Sequence, residues 1–178
     1  MGRNILKYGV IAGLVVAGGM WGTLLAFGKQ MPHGWLGMAL GYLSMLVALS
    51  AVFVGIKHHR DADRGGVIRF WPAFGLGLGI SLVAAIFYVL AWELAQATVV
   101  GDFAGHYAAS AIAQAKAGGA DAAALAKLTA QMDEFRRQYA DPLFRLPMTF
   151  AEVFPVGVLV SLVSAAVLRN PRVLPARG

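Results

Sequence analysis

Two carboxylates stand inside stretches of this chain that are otherwise almost free of charge, Glu93 and Glu152. An ionisable side chain within an apolar run is costly to place in a membrane, so it calls for a partner or a task. Two kinds of chemistry follow. One is ion pairing with a cation, for which Lys29 and Arg145 are the candidates. The other is a ligand or proton site, to which His33 and His106 could add imidazole groups. Helix arithmetic puts these residues on one side. Glu93 comes about 23 residues, roughly 34 Å, after the start of its apolar run. Glu152 falls within about two turns of the start of the last run, where its charge also complements the helix dipole. The ion pair is the first reading and the ligand or proton site the second. Pro155, just below Glu152, removes an intrahelical hydrogen bond, and a kink there would open a small outward cavity.

Other chemistries find less support. Residues 1–178 contain no Cys, which excludes thiolate metal sites, disulfides and cysteine nucleophiles. Tertiary contact alone could assemble a metal site from His33, His106, Glu93 and Glu152. Nothing in their spacing demands it, so no metal and no cofactor is expected. His58-His59 reads as a solvated anchor in a basic loop, because neighbouring residues do not face the same way. Gly75-Leu76-Gly77-Leu78-Gly79 has no preceding strand and is not a dinucleotide fingerprint. No G-x-S-x-G elbow or phosphate loop occurs. No catalytic residue is named, and a non-enzymatic protein is expected.

The elements that must position these residues are four apolar helices. Runs of about 20 apolar residues cross a ~30 Å hydrocarbon core. They are expected at about 4–28, 34–57, 69–97 and 146–168. The first is read as a retained span: its apolar run is longer than that of a typical leader and no clear A-x-A site follows. Of all residues, 58% are hydrophobic and 13% charged, so one membrane domain over 1–178 is the natural count. The net charge of +6 does not indicate nucleic acid, because the cations are placed by side. Arg3, Lys7, Lys57, Arg60, Arg64, Arg69, Arg169, Arg172 and Arg177 flank the spans on one side. On the other, Lys29, Lys116, Lys127, Arg136, Arg137 and Arg145 are largely balanced by acids. This asymmetry puts both termini in the cytoplasm. Tyr8 and Trp71, then Trp35 and Trp92, suit the inner and outer interfaces.

The segment 102–140 between the third and fourth spans reads as an extracytoplasmic helical hairpin, broken at Gly118-Gly119. Asp121 can cap its second helix, which stops before Asp141-Pro142. There Leu125, Leu128, Met132, Phe135 and Tyr139 form one apolar stripe at steps of three and four, opposite Lys127, Gln131, Glu134 and Gln138. The stripe packs within the hairpin, lies on the membrane surface, or docks a partner.

Small residues four apart recur along the spans: Gly9 and Gly13, Gly37 and Gly41, Gly75 and Gly79, Gly157 and Ser161. They point to close helix packing. A weak internal repeat relates 41–48 to 157–164. Larger pieces carry a resemblance: Leu6-Lys7-Tyr8-Gly9-Val10-Ile11-Ala12-Gly13, Gly41-Tyr42-Leu43-Ser44-Met45, Gly55-Ile56-Lys57, Gly65-Gly66-Val67-Ile68-Arg69-Phe70, Asp141-Pro142-Leu143-Phe144-Arg145 and Glu152-Val153-Phe154-Pro155-Val156-Gly157. In order and spacing the chain resembles the domain-of-unknown-function 4199 family over nearly its whole length. The resemblance implies a four-span bacterial inner-membrane protein. It carries over no activity and no site residue. The expected fold is therefore an all-α membrane protein with four transmembrane helices. The expected partners are the lipid bilayer and either a second copy or another membrane protein. The expected role is packing, assembly or accessory. The alternative is a small transporter or channel component with a polar site near the outer interface.

Overall fold

The computed structural model describes residues 1–27 and 35–175. Six α-helices follow in order: α1 (Gly2–Phe27), α2 (Trp35–Asp63), α3 (Phe70–Ala95), α4 (Phe103–Ala117), α5 (Ala122–Ala140) and α6 (Pro142–Leu168). A π-helical turn, Gln96–Val100, follows α3 and ends at Gly101, whose φ of 67° a side chain would resist. No strand occurs among the described residues. Four segments are long and apolar enough to cross a membrane: Gly2–Ala26, Gly41–Asp63, Phe70–Val100 and Pro142–Leu168. The shortest, 23 residues, reaches roughly 35 Å as a helix, past the ~30 Å needed. The protein is an all-α, multi-pass membrane protein.

Two helix limits differ from the sequence expectation, each for a local reason. The second helix continues to Asp63, so His58–Asp63 is helical and not a loop. The i,i+4 pairs Lys57–Asp61 at 2.5 Å and His59–Asp63 at 2.7 Å carry it forward. Gly65 and Gly66, with φ of 61° and 87°, then stop it. The sixth helix begins at Pro142 and not near Leu146. Proline is at home in a first helical turn, and the Asp141 carboxylate accepts the Leu143 N–H at 2.9 Å.

The chain forms two compact units, one of Met1–Trp92 with Phe150–Gly178, the other of Glu93–Thr149. In the first, α3 is the central helix: 44% of its apolar window is buried, against 28–33% for the other spans. Its Ala73, Leu76 and Ile80 meet Tyr8, Leu49, Val52, Ile56, Ala165 and Leu168 in one core. Leu14, Leu25, Leu43, Val47, Leu90, Leu159 and Val163 point outward. Helices that are apolar all round suit a lipid solvent, and there close packing must replace the hydrophobic drive. Glycine permits it. A Cβ on Gly9 would lie 2.5 Å from Val83 Cβ, and one on Gly13 would lie 2.5 Å from Phe87 Cβ. Gly79 meets Ile5 at 2.8 Å, and Gly77 and Gly157 meet Ser161 and Ser81 at 2.8 and 2.6 Å. Within α6 the Ser161 hydroxyl donates to the Gly157 carbonyl at 2.7 Å, at the place where Ser81 of α3 comes against it. Ser81 Oγ lies 3.2 Å from that carbonyl and from Ser161 Oγ.

The second unit is built on the α4–α5 hairpin. Asp102 and Asp121 cap the two helices, accepting from the Gly105 N–H at 2.8 Å and the Ala124 N–H at 2.7 Å. Leu125, Leu128, Met132 and Phe135 are half-buried and Tyr139 is buried, while Lys127, Gln131, Glu134 and Gln138 are exposed. The stripe faces α4, whose Phe103 and Tyr107 rings stand 5.6 and 5.7 Å from those of Tyr139 and Phe135. On the wet face the Arg137 guanidinium, 2.5 Å away, holds the Glu134 carboxyl below the usual carboxylate range. Leu128→Asp or Phe135→Asp is expected to destabilise the protein by about 2 kcal/mol, and Gln131→Asp to leave it within about 0.5 kcal/mol. Thermal unfolding in detergent checks this. Equal effects at all three positions would contradict docking by the stripe.

Candidate functional site

Glu93 ends α3 and Arg145 opens α6, and both lie in the second unit. The Arg145 Nε donates to Glu93 Oε1 at 2.8 Å and its Nη2 to Oε2 at 2.6 Å. This two-pronged pairing matches the planar guanidinium to the planar carboxylate. The third nitrogen, Nη1, donates to the Tyr139 carbonyl at 3.1 Å, and the guanidinium lies 5.8 Å from the Tyr139 ring. The Tyr139 hydroxyl accepts from Gln96 Nε2 at 3.2 Å. The side chains of Arg145 and Glu93 are 17% and 28% exposed. Of the two cations considered for Glu93, the structure brings Arg145 to it; Lys29 lies outside the described residues.

Glu152 belongs to the other unit, where Tyr88 Oη donates to its Oε2 at 3.1 Å. The sixth helix stays helical through Pro155. The remaining histidines are not gathered with these groups. His106 is exposed on α4, and His33 lies outside the described residues. Among the described residues no three His, Cys, Asp or Glu form a cluster able to hold a metal. The glycines divide. Gly9, Gly13, Gly79 and Gly157 lie against neighbouring helices, whereas Gly75 has only the tip of Met1, at 3.8 Å, beside it. A Cβ on Gly41, Gly18 or Gly22 would meet nothing within 4 Å. The surroundings of Gly37 lie outside the described residues.

A further polar cluster, in the first unit, was not foreseen. His59 is 4% exposed and Arg60 0%, so the reading of a solvated anchor holds only for exposed His58, whose ring stands 5.8 Å from that of Tyr8. Asn4 Nδ2 donates to Asp63 Oδ2 at 2.8 Å and stands 3.2 Å from His59 Nδ1. Arg60 donates from Nε to Asp61 Oδ1 at 2.6 Å, from Nη1 to the Val173 carbonyl at 2.9 Å, and from Nη2 to the Leu174 carbonyl at 2.5 Å. A buried guanidinium with acceptors on every side is the arrangement that makes such burial tolerable. The sequence held one signal for it, the His59–Asp63 and Lys57–Asp61 spacing of four.

Chemically, these sites pair charges with one another and tie helix ends together. A search of curated proteins and a search of solved structures each found no match. A family model described as "Protein of unknown function (DUF4199)" matches residues 7–170, nearly the whole chain, and the protein belongs to that family.

Proposed function

We propose that this protein is a non-enzymatic integral membrane protein that serves as a packing, assembly or accessory subunit, either self-associating or seated against another membrane protein. One observation carries the reading. After the bundle closes, Gly18, Gly22 and Gly41 still face open space on α1 and α2. Glycines that no described residue of the chain packs against are suited to receiving a helix from outside it, because they let backbones approach closely in lipid. The decisive test is the assembly state in mild detergent by native mass spectrometry. Gly22→Leu and Gly41→Leu should shift the population to the monomer while the unfolding free energy of the monomer stays within about 0.5 kcal/mol, as at an exposed site. An unchanged assembly state in both variants would remove the reading.

The location proposed with it is a bacterial inner membrane, with both termini cytoplasmic and no nucleic-acid partner. The sidedness of Lys and Arg supports it. Reporter fusions after residue 178 and within the α4–α5 turn at Gly118 should report opposite sides. The same side for both would overturn the topology.

A second reading, a small transporter or channel component, is favoured by the placement of Glu152. Its carboxylate lies in a spanning segment and takes a hydrogen bond from Tyr88 Oη. Carboxylates within spanning segments commonly mark ion or proton paths. Loss of a proton or solute flux in Glu152→Gln liposomes, with melting unchanged, would favour it over the first.

A further inference from the structure

One end of the first unit gathers positive charge and uses up its own acids. Contacts define that end. Asn4 near the start of α1 bonds Asp63 at the end of α2, Met1 and Ile5 lie where a Cβ on Gly75 or Gly79 of α3 would come within 3.8 or 2.8 Å of them, and Arg60 bonds the chain that follows α6. Exposed Arg3, Lys7, Arg64, Arg69, Arg169 and Arg172 all stand at these helix ends. The two carboxylates there are already engaged. Asp61 takes bonds from Lys57 and Arg60, and Asp63 from Asn4 and the His59 contact. Little acid is therefore left to neutralise the six exposed cations from within. Beside them Trp71 is 74% exposed at the start of a spanning helix, as an indole seated at a membrane interface would be.

Buried Arg60 cannot itself reach a headgroup. It spends two nitrogens on the carbonyls of Val173 and Leu174, and so straps the chain after α6 across this end. The strap is shaped for that path: Asn170 Oδ1 accepts from the Arg172 N–H at 3.0 Å, the Val173 N–H returns to the Asn170 carbonyl at 3.1 Å, and Leu174 takes a φ of 48°. Held this way, Arg172 stays with the other cations.

We propose that this end of the bundle is a binding site for the phosphate-bearing headgroups of anionic phospholipids, built from the exposed cations of four helix ends and completed by a tail that Arg60 holds in place. It rests on the membrane-spanning architecture and is independent of the assembly role. Cations at a membrane surface attract anionic lipid additively, and the phosphate geometry favours arginine.

The test uses the full chain in nanodiscs of phosphatidylcholine and phosphatidylglycerol in equal parts, with the lipids retained on the ejected protein read by native mass spectrometry. Enrichment of the anionic lipid is expected. It should fall roughly fivefold for each of Arg64→Gln, Arg69→Gln and Arg172→Gln. Arg60→Gln should match Arg172→Gln, because freeing the strap withdraws the same cation. Should Arg60→Gln fail to fold, the exposed Arg172→Gln carries the comparison alone. Arg136→Gln/Arg137→Gln, on α5, should leave enrichment unchanged. Equal retention of both lipids by the native chain, or a triple Arg64/Arg69/Arg172 variant that keeps its enrichment, overturns the site. Displacement of the lipid by inorganic phosphate at matched concentration also overturns it, in favour of a small-anion site. Failure to enter nanodiscs of either composition would overturn the spanning architecture together with the site.

Discussion

Gly13→Leu is expected to lower stability by about 3 kcal/mol, the upper end of the usual overpacking range. A Cβ at Gly13 already falls 2.5 Å from Phe87 Cβ and 2.6 Å from its Cγ. Those are the root of an aromatic side chain on the central helix, so rotation of the ring cannot clear them. The backbones of α1 and α3 must part, and the Gly9–Val83 contact one turn away must open with them. Helix propensity runs the other way, favouring Leu over Gly by up to about 1 kcal/mol, so the clash has to exceed that gain before any loss appears. Gly41→Leu supplies the control. With no described atom of its own chain within 4 Å, it feels propensity alone in the monomer, which should melt at or slightly above the monomeric parent. Melting of the three proteins in one detergent decides the matter. Equal midpoints for parent and Gly13→Leu would show that α1 does not approach α3 at this contact.

The second large effect is expected at Glu93 and Arg145. Glu93→Gln leaves a guanidinium in a spanning segment without its counter-charge, replaces one of the two carboxylate acceptors by an NH2 donor, and leaves the amide oxygen and the Tyr139 carbonyl as acceptors. Fully buried pairs lose about 3–5 kcal/mol when one partner goes, and exposed pairs about 0–1 kcal/mol. At 28% and 17% exposure this pair lies between, so about 2 kcal/mol is expected for either Glu93→Gln or Arg145→Gln. The double variant should cost less than the sum, with a coupling of about 1–2 kcal/mol. A ligand site would behave differently: the single variants would keep their stability and lose only a binding or transport signal. Additive single effects near zero would show that the two-pronged contact contributes nothing to the fold.

The sequence by itself determined the class of the protein and most of its helices. Hydropathy over about 20 residues reports a property that lipid imposes locally, so four spans were legible without tertiary information. Caps were legible for the same reason. Asp121 acts on an N–H group three residues away, and Gly119 turns the chain at its own φ of 79°; the like cap at Asp102 emerged only from the structure. The stripe of α5 was legible because a helix repeats every 3.6 residues, and the burial along it follows that repeat.

Only the tertiary structure decided the partners. Glu93 had two cations within the reach of the argument, and the fold pairs it with Arg145, 52 positions away in sequence. The nine residues from His58 to Gly66 looked like a polar loop because composition alone counts charge. The pairs Lys57–Asp61 and His59–Asp63 carry the helix on to Asp63, and only the fold shows that its Asn4, Val173 and Leu174 partners lie 55 to 114 positions away. The glycines show the same division. Identical small-residue spacings mark Gly9, Gly13 and Gly41, yet among the described residues the first two lie against another helix and Gly41 does not. Which face of an apolar helix turns inward is set by what packs against it. A helix that is apolar all round carries no amphipathic signal to announce that face in advance.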